Sequence, residues 1–270
     1  MRSHLRRFGP VVLLAALIVG IVPAATAADH DTSGEAVVSA EADALSLTNA
    51  RRAARGLAKL RMDPRLAELA RDRAQYMADT GRFSHTQANG RDVFDLIQSA
   101  GIRWYAAAEI IAWNTAGPLD YSAEFAVQGW MGSSPHKAIV LSDDYNYVGF
   151  GVAVADDGTR YWAGVYLRGP DRTGGWTKAG GFRKSNLDAR WARGTVTWTG
   201  GDTWLQVLTA GHHSFRVQWR VAGGAWHDLG STRARSLTKW WRRGWTYEVR
   251  IRERDRNGNL GSWATKVLRP

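Results

Sequence analysis

Apolar positions recur at helical spacing in the first part of the chain and alternate in the last part. Leu45, Asn49, Arg52 and Ala53, Gly56 and Leu57, and Leu60 predict a helix from Glu41 onward, with Asn49 and Arg52 intruding on its inner face. Buried polar side chains need partners, so both residues demand them. Asp63-Pro64 then supplies a cap and a first-turn proline. The second amphipathic helix carries Leu66, Leu69, Ala70, Arg73, Ala74 and Met77 and ends at Gly81. A short third helix is predicted over residues 92–100, closing on Gly101. A fourth runs over 122–131, with Phe125, Ala126, Gly129 and Trp130 on its apolar side. Residues 147–154 and 160–167, joined by Asp156-Asp157-Gly158, predict an antiparallel hairpin. Helices around such a hairpin make an α+β domain over residues 41–168.

After a Gly-, Lys-, Arg- and Asp-rich stretch, residues 169–190, which reads as a linker, the period becomes two. Val196 and Trp198 alternate with threonines. Phe215, Val217, Trp219 and Val221 alternate with polar residues, as do Tyr247, Val249 and Ile251. These are half-buried antiparallel strands, and Asn257-Gly258 turns into a last strand over 262–268. A Trp/Val/Ile core over residues 191–270 suits a small all-β sandwich.

The N-terminus adds a targeting signal. Arg2, Arg6 and Arg7 precede an apolar run over residues 11–22 and the small-residue site Ala25-Thr26-Ala27, so residues 1–27 read as a secretory signal peptide. Residues 28–40 are polar, small and aperiodic, a flexible leading segment. No later run is long enough for a transmembrane anchor, so the expectation is a secreted, extracellular protein. Cysteine is absent, so neither disulfides nor thiolate metal sites support the fold. Charge separates two domains: residues 28–174 carry 15 Lys+Arg against 19 Asp+Glu, and residues 175–270 carry 18 against 6. Ten of the 14 tryptophans follow residue 174, which also points to two domains of different origin.

Three residues stand out chemically in the first domain. His85 follows a helix-ending glycine in Phe83-Ser84-His85-Thr86. His136 follows Ser133-Ser134-Pro135. Glu109 is a lone carboxylate in the apolar run over residues 107–113. A buried carboxylate is costly without a partner, so something cationic or metallic should meet Glu109. Two neutral imidazoles and a carboxylate make a plausible Zn²⁺ set with one position open for water, which could support hydrolysis. The two-histidine helical metalloprotease signature is missing, and Ser133 and Ser134 lack the nucleophile-elbow context and read as helix caps. A cleft that binds a divalent metal or a small apolar or anionic ligand is therefore favoured, with a metal-assisted hydrolase of peptide or cell wall as the alternative.

The order of these stretches resembles the bacterial branch of the CAP superfamily (cysteine-rich secretory, antigen-five and pathogenesis-related proteins). The matching residues are Asn49-Ala50-Arg51-Arg52 with Gly56-Leu57 and Leu60, then Asp63-Pro64 with Leu66 and Ala70. Phe83-Ser84-His85-Thr86, Ala108-Glu109-Ile110, residues 130–141 and Tyr147-Val148-Gly149-Phe150-Gly151 follow. The resemblance implies a three-layer α-β-α sandwich whose cleft gathers two histidines, here His85 and His136, with acidic residues and can hold a divalent metal. The first acid maps onto Glu109 and the nearest candidate for a second is Glu124. Where the family has Gly-Glu-Asn this chain has Ala108-Glu109-Ile110, and where bacterial members read Ser-Pro-Gly-His-Arg it has Ser133-Ser134-Pro135-His136-Lys137.

In the second domain, residues 244–252 followed by Asp255, Asn257-Gly258-Asn259 and Trp263 resemble the later strands of a fibronectin type III domain. The resemblance makes Tyr247 the corner tyrosine. Arg250 and Arg252, with Arg254 and Arg256 beyond them, would project from one side of a strand near Arg242 and Arg243, and such a row repels itself unless something compensates. These cations are the candidate surface for an anionic cell-wall polymer, polysaccharide or lipid headgroup, with nucleic acid excluded as a partner by export. The expected whole is a cleft-bearing domain localised at the cell surface by a basic module.

Overall fold

The computed structural model describes residues 34–115 and 117–270, without the side chains of residues 186 and 187. The leader read at residues 1–27 lies outside the described residues. The chain divides between Pro170 and Asp171 into two compact units. No helix among the described residues is long and apolar enough to cross a membrane.

In the first unit, helix α1 spans Gly34–Ala53. It starts inside the stretch read as flexible, because Ala36 and Val37 pack on the core and Ala40 and Ala44 are buried in it. It also ends earlier than the apolar spacing implied, at a turn through Gly56 with φ of 70°. Asn49 nonetheless faces inward. Its side chain donates to the Leu60 carbonyl at 3.1 Å and accepts from the Leu60 amide at 2.8 Å. Arg52, fully buried, donates to the carbonyls of Ala58, Val140 and Ser142.

Strand β1 (Arg61–Met62) leads to α2 (Pro64–Thr80), capped by Asp63, whose carboxylate accepts from the Arg65 amide at 3.0 Å, and stopped by left-handed Gly81. Helix α3 (Val93–Ser99) opens on a capping box between Asp92 and Asp95. Strand β2 (Ala106–Asn114), helices α4 (Leu119–Gly132) and α5 (Ser134–Val140), and the hairpin β3 (Tyr147–Val154) and β4 (Arg160–Arg168) complete the unit. The sheet order is β1-β3-β4-β2, with β1 parallel to β3 and the other pairs antiparallel. Alternation along β3 separates its neighbours. Val148, Phe150 and Val152 enter a core with α1 and α4, while Gly149 and Gly151 face α2. Helices thus cover both faces of one sheet, and Trp130 and Phe150 stack at its centre, 5.7 Å between ring centroids.

The second unit contains β5 (Trp176–Leu187), β6 (Trp191–Gly201), β7 (His212–Val221), β8 (His227–Thr232), β9 (Ser236–Arg242), β10 (Tyr247–Asp255) and β11 (Ala264–Leu268). The stretch read as a linker therefore contains a full strand. Its glycines mislead because they serve close approach: a Cβ on Gly175 would lie 2.2 Å from Glu253 Oε2 and 2.4 Å from the Gly201 carbonyl. Two sheets form, β5-β6-β9 and β11-β10-β7-β8. Val196, Trp198 and Trp241 from the first meet Phe215, Val217, Tyr247, Val249, Ile251 and Leu268 from the second in one buried core.

The Tyr247 hydroxyl accepts from the Arg242 backbone amide at 3.2 Å, tying the β9–β10 connection to the core. Tyr247→Phe removes that acceptor and leaves ring packing intact. We expect it to destabilise the second unit by about 1 kcal/mol, read as a shift of its denaturant midpoint with unchanged slope. No shift would mean that the bond contributes nothing.

Candidate functional site

Glu109 is the hub of the first unit's polar site. It sits on β2, which is buried from Glu109 through Ala112, and its side chain is 3% exposed. The cation it requires is Arg73 of α2, itself fully buried, which donates from Nε to Oε1 at 2.7 Å and from Nη2 to Oε2 at 3.4 Å. Nη2 also donates to the Ser84 carbonyl at 2.7 Å, which fixes the loop delivering His85. His85 Nδ1 lies 2.8 Å from Glu109 Oε2. A carboxylate accepts, so Nδ1 carries the proton and the lone pair of a neutral ring lies on Nε2. Arg73 orients the carboxylate, and the carboxylate orients the imidazole.

His136 lies in the first turn of α5, 4% exposed, and neither ring nitrogen has a hydrogen-bond partner among the described residues. Burial pushes its pKa below the ordinary imidazole value, and the charge of nearby His85 pushes it further in that direction. Pro135 lies in the first turn of α5 and Ser133 occupies its N-cap position, but the Ser133 side chain makes no capping bond. The capping role read for Ser133 is thus positional only. Trp130, fully buried, donates from its indole to the Ile111 carbonyl at 3.1 Å, joining α4 to the strand that carries Glu109.

Glu124 is not drawn into this network. It is exposed on α4 and accepts from Gln128 Nε2 at 3.0 Å, one turn along the same helix. Nor do His85, Glu109 and His136 form a three-ligand cluster. Among the described residues, the group whose ligand atoms all lie within 4.8 Å of one another is Asp171, Asp202 and Asp255 of the second unit. Backbone amides of Ala210 and Gly211 and the Asn259 side chain already donate to those carboxylates. Alternation in the sequence could not find this triad, because it joins three separate loops and strand ends. Arg73 did leave a sequence signal: it is an arginine inside the apolar stripe of α2.

The four arginines read as one surface are divided. Arg242 ends β9, Arg243 follows it, and Arg250 and Arg252 belong to β10 of the other sheet. Tryptophan faces compensate the row on β10. The Arg250 guanidinium lies 4.0 Å from the Trp226 ring centroid and 4.4 Å from that of Trp263, and Arg252 lies 4.4 Å from Trp263. Arg250 Nε also donates to Gln218 Oε1 at 2.8 Å, Arg220 pairs with Glu248, and Arg216 pairs with Asp228.

Residues 45–166 match the model of the cysteine-rich secretory protein family, CAP. Over 121 residues the chain is 35% identical to the uncharacterized protein YkwD of Bacillus subtilis (strain 168), covering 44% of this chain and 45% of that protein. Over 113 residues it is 34% identical to the uncharacterized membrane protein YlbC of the same organism, covering 42% and 31%. The chain thus spans less than half the length of either relative. Among solved structures it is similar to an extracellular protein containing an SCP domain from Bacillus anthracis, at 26% identity and a TM-score of 0.41 over 49% of this chain and 41% of that one. It is also similar to an outer surface protein from Borrelia burgdorferi, at 18% identity and a TM-score of 0.44 over 48% and 93%. Sequence match, motif order and the helix-covered sheet agree: the first unit of this chain carries a CAP domain.

Proposed function

We propose that this is an exported CAP-domain protein whose first unit binds a divalent metal such as Zn²⁺ through His85 and His136, and whose second unit attaches it to an anionic cell-surface polymer. The observation that carries the metal reading is His136. A buried imidazole with both nitrogens unpaired is costly unless something fills the place of a partner. His85 offers the matching lone pair on Nε2, because Glu109 holds its Nδ1. A carboxylate behind a histidine is the usual outer-shell arrangement of a ligating imidazole. The donor set therefore fits a metal held by two nitrogens, with Glu109 behind them rather than in the coordination sphere, since Arg73 and His85 occupy its oxygens.

The same engagement favours binding over hydrolysis. Glu109 is not free to take a proton from a water, and Glu124 is spent on Gln128 at the surface. For the second unit, a fibronectin type III-like reading is supported by the sheet orders and by the Tyr247 hydroxyl tie. The excess of Lys and Arg after residue 174 supports attachment to an anionic surface.

Zinc titration of the purified mature chain, followed by metal analysis, is expected to give one ion per chain. His85→Ala and His136→Ala should each abolish it, and Glu109→Gln should weaken it roughly 10–100-fold. Full metal content in a His85→Ala/His136→Ala protein would sink the metal reading. Peptide or peptidoglycan turnover that disappears with a chelator would move the assignment to the hydrolase.

A further inference from the structure

The outward face of the three-stranded sheet is chemically unlike the rest of the second unit. Along β6, Ala192, Gly194, Val196 and Trp198 are buried, so Trp191, Arg193, Thr195, Thr197 and Thr199 point outward. Register puts Arg193 opposite Trp240 and Trp191 opposite Arg242 on β9, and puts Arg183 opposite Thr195 and Lys178 opposite Thr199 on β5. Trp191 is 43% exposed and Trp240 48%, while Arg183, Lys178, Arg193 and Arg242 line the same face at its solvent side. Thr195 and Thr238 bond hydroxyl to hydroxyl at 2.8 Å, which fixes a polar floor between the tryptophans and the sheet's other end.

Two aspects of this face identify its occupant. The first is charge. Among the described residues, no outward position of β5, β6 or β9 carries a carboxylate, and none of the four cations is in an ion pair. The four-stranded sheet instead satisfies its cations with Glu248, Asp228 and the Trp226 and Trp263 rings, while of the four cations here Arg242 lies over a ring, that of Trp245, at 5.0 Å. Asp188 is held in the β5–β6 turn, where its Oδ1 accepts from the amides of Arg190 and Trp191. The second is the alternation of ring and cation. Trp191 and Trp240 are diagonal neighbours on adjacent strands, roughly 7–8 Å apart at such positions, and an arginine stands opposite each. Flat exposed rings stack on flat apolar faces, guanidinium and ammonium groups meet anions, and a hydroxyl row bonds to other hydroxyls. A sugar chain bearing acidic groups presents all three.

We infer that the outer face of the β5-β6-β9 sheet is a binding platform for an acidic polysaccharide. Sugar rings lie on Trp191 and Trp240, and their acidic groups meet Lys178, Arg183 and Arg193. The inference rests on the proposal that the second unit is the attachment module, and it names both the face and the ligand class. It moves recognition away from Arg250, whose guanidinium lies over both Trp226 and Trp263, and from Arg252, which lies over Trp263.

The test is equilibrium binding of the full mature chain to four probes: oligogalacturonate as the acidic glycan, dextran as a neutral one, polyphosphate as an anion without rings, and duplex DNA. Oligogalacturonate should bind most tightly. W191A/W240A should weaken it roughly tenfold or more, as for loss of central aromatic anchors, while weak polyphosphate attraction persists. K178Q/R183Q/R193Q should weaken it and flatten its salt dependence. Arg252→Gln, on the other sheet, should leave it unchanged. Unfolding midpoints of all variants check that the module stays folded, and the cation variant decides if the tryptophan variant does not. Binding lost only with Arg252→Gln would overturn this face while sparing the attachment proposal. Equal binding to polyphosphate or DNA that ignores W191A/W240A would reduce the face to charge attraction and overturn the glycan. Failure to bind any probe would overturn both.

Discussion

Arg73→Met should destabilise the first unit by about 3–5 kcal/mol, the range for breaking a buried ion pair from one side. The guanidinium is fully buried and makes both contacts with Glu109, whose side chain is 3% exposed. Methionine fills much of the volume but leaves the carboxylate with His85 alone, and frees the Ser84 carbonyl from its donor. Desolvation of an uncompensated carboxylate outweighs any gain from the apolar substitute. Replacing both partners, Arg73→Met with Glu109→Leu, removes the charge as well as its partner and should cost far less than the two single changes added together. The readout is denaturant unfolding followed by helical circular dichroism, which reports the first unit because every helix among the described residues lies in it. A loss below about 1 kcal/mol for Arg73→Met would place the pair in the weak class of solvated surface bridges and sink the hub.

How far the sequence reveals this site depends on how local each cause is. Asp63-Pro64 and Gly81 bound α2 through capping chemistry within a few residues, and the structure follows them closely. The polar intrusions Asn49 and Arg52 announce a need for partners, yet the carbonyls that Arg52 finds at Val140 and Ser142 are long-range, and no periodicity names them. Glu109 is the same case: an isolated acid in an apolar run demands a cation, and the fold chooses Arg73 from another helix. Where one residue has two uses, the reading goes astray. Gly175, just before β5, looks like a linker residue but admits Glu253 and the Gly201 carbonyl. The arginines of β10 look mutually repulsive, but Trp263, apart from them in sequence, supplies a ring to both Arg250 and Arg252, and Trp226 a second ring to Arg250, only after the sheet forms. The small residues before Glu41 look aperiodic because alanine and valine alone mark their buried side.

Gly149 and Gly151 are the other point of high leverage, and either changed to alanine should destabilise the first unit by about 3 kcal/mol or more, at or beyond the upper end of the usual overpacking range. A Cβ on Gly149 would lie 2.1 Å from the carbonyl carbon of Leu66 and 2.2 Å from the amide of Ala67. One on Gly151 would lie 2.2 Å from the Arg71 amide and 2.3 Å from the carbonyl carbon of Ala70. These are backbone atoms of α2, so no side-chain rotation relieves the overlap and the whole helix must move off the sheet. Neither glycine has a left-handed φ, so backbone strain adds nothing and the cost is steric. Alanine's usual advantage over glycine, about 0.5–1 kcal/mol, is too small to offset it. The contrast is Gly132→Ala at the end of α4, where a Cβ meets nothing within 4 Å and the change should be neutral or slightly stabilising. Because α2 also carries Arg73, a displaced helix pulls the guanidinium from Glu109 and releases His85 from its orienting carboxylate. Any metal affinity measured for the parent chain should therefore fall in the surviving folded fraction of these variants, although neither glycine touches the site. Gly149→Ala or Gly151→Ala within about 0.5 kcal/mol of the parent, the range of an ordinary surface substitution, would show that α2 does not rest on the sheet at this distance.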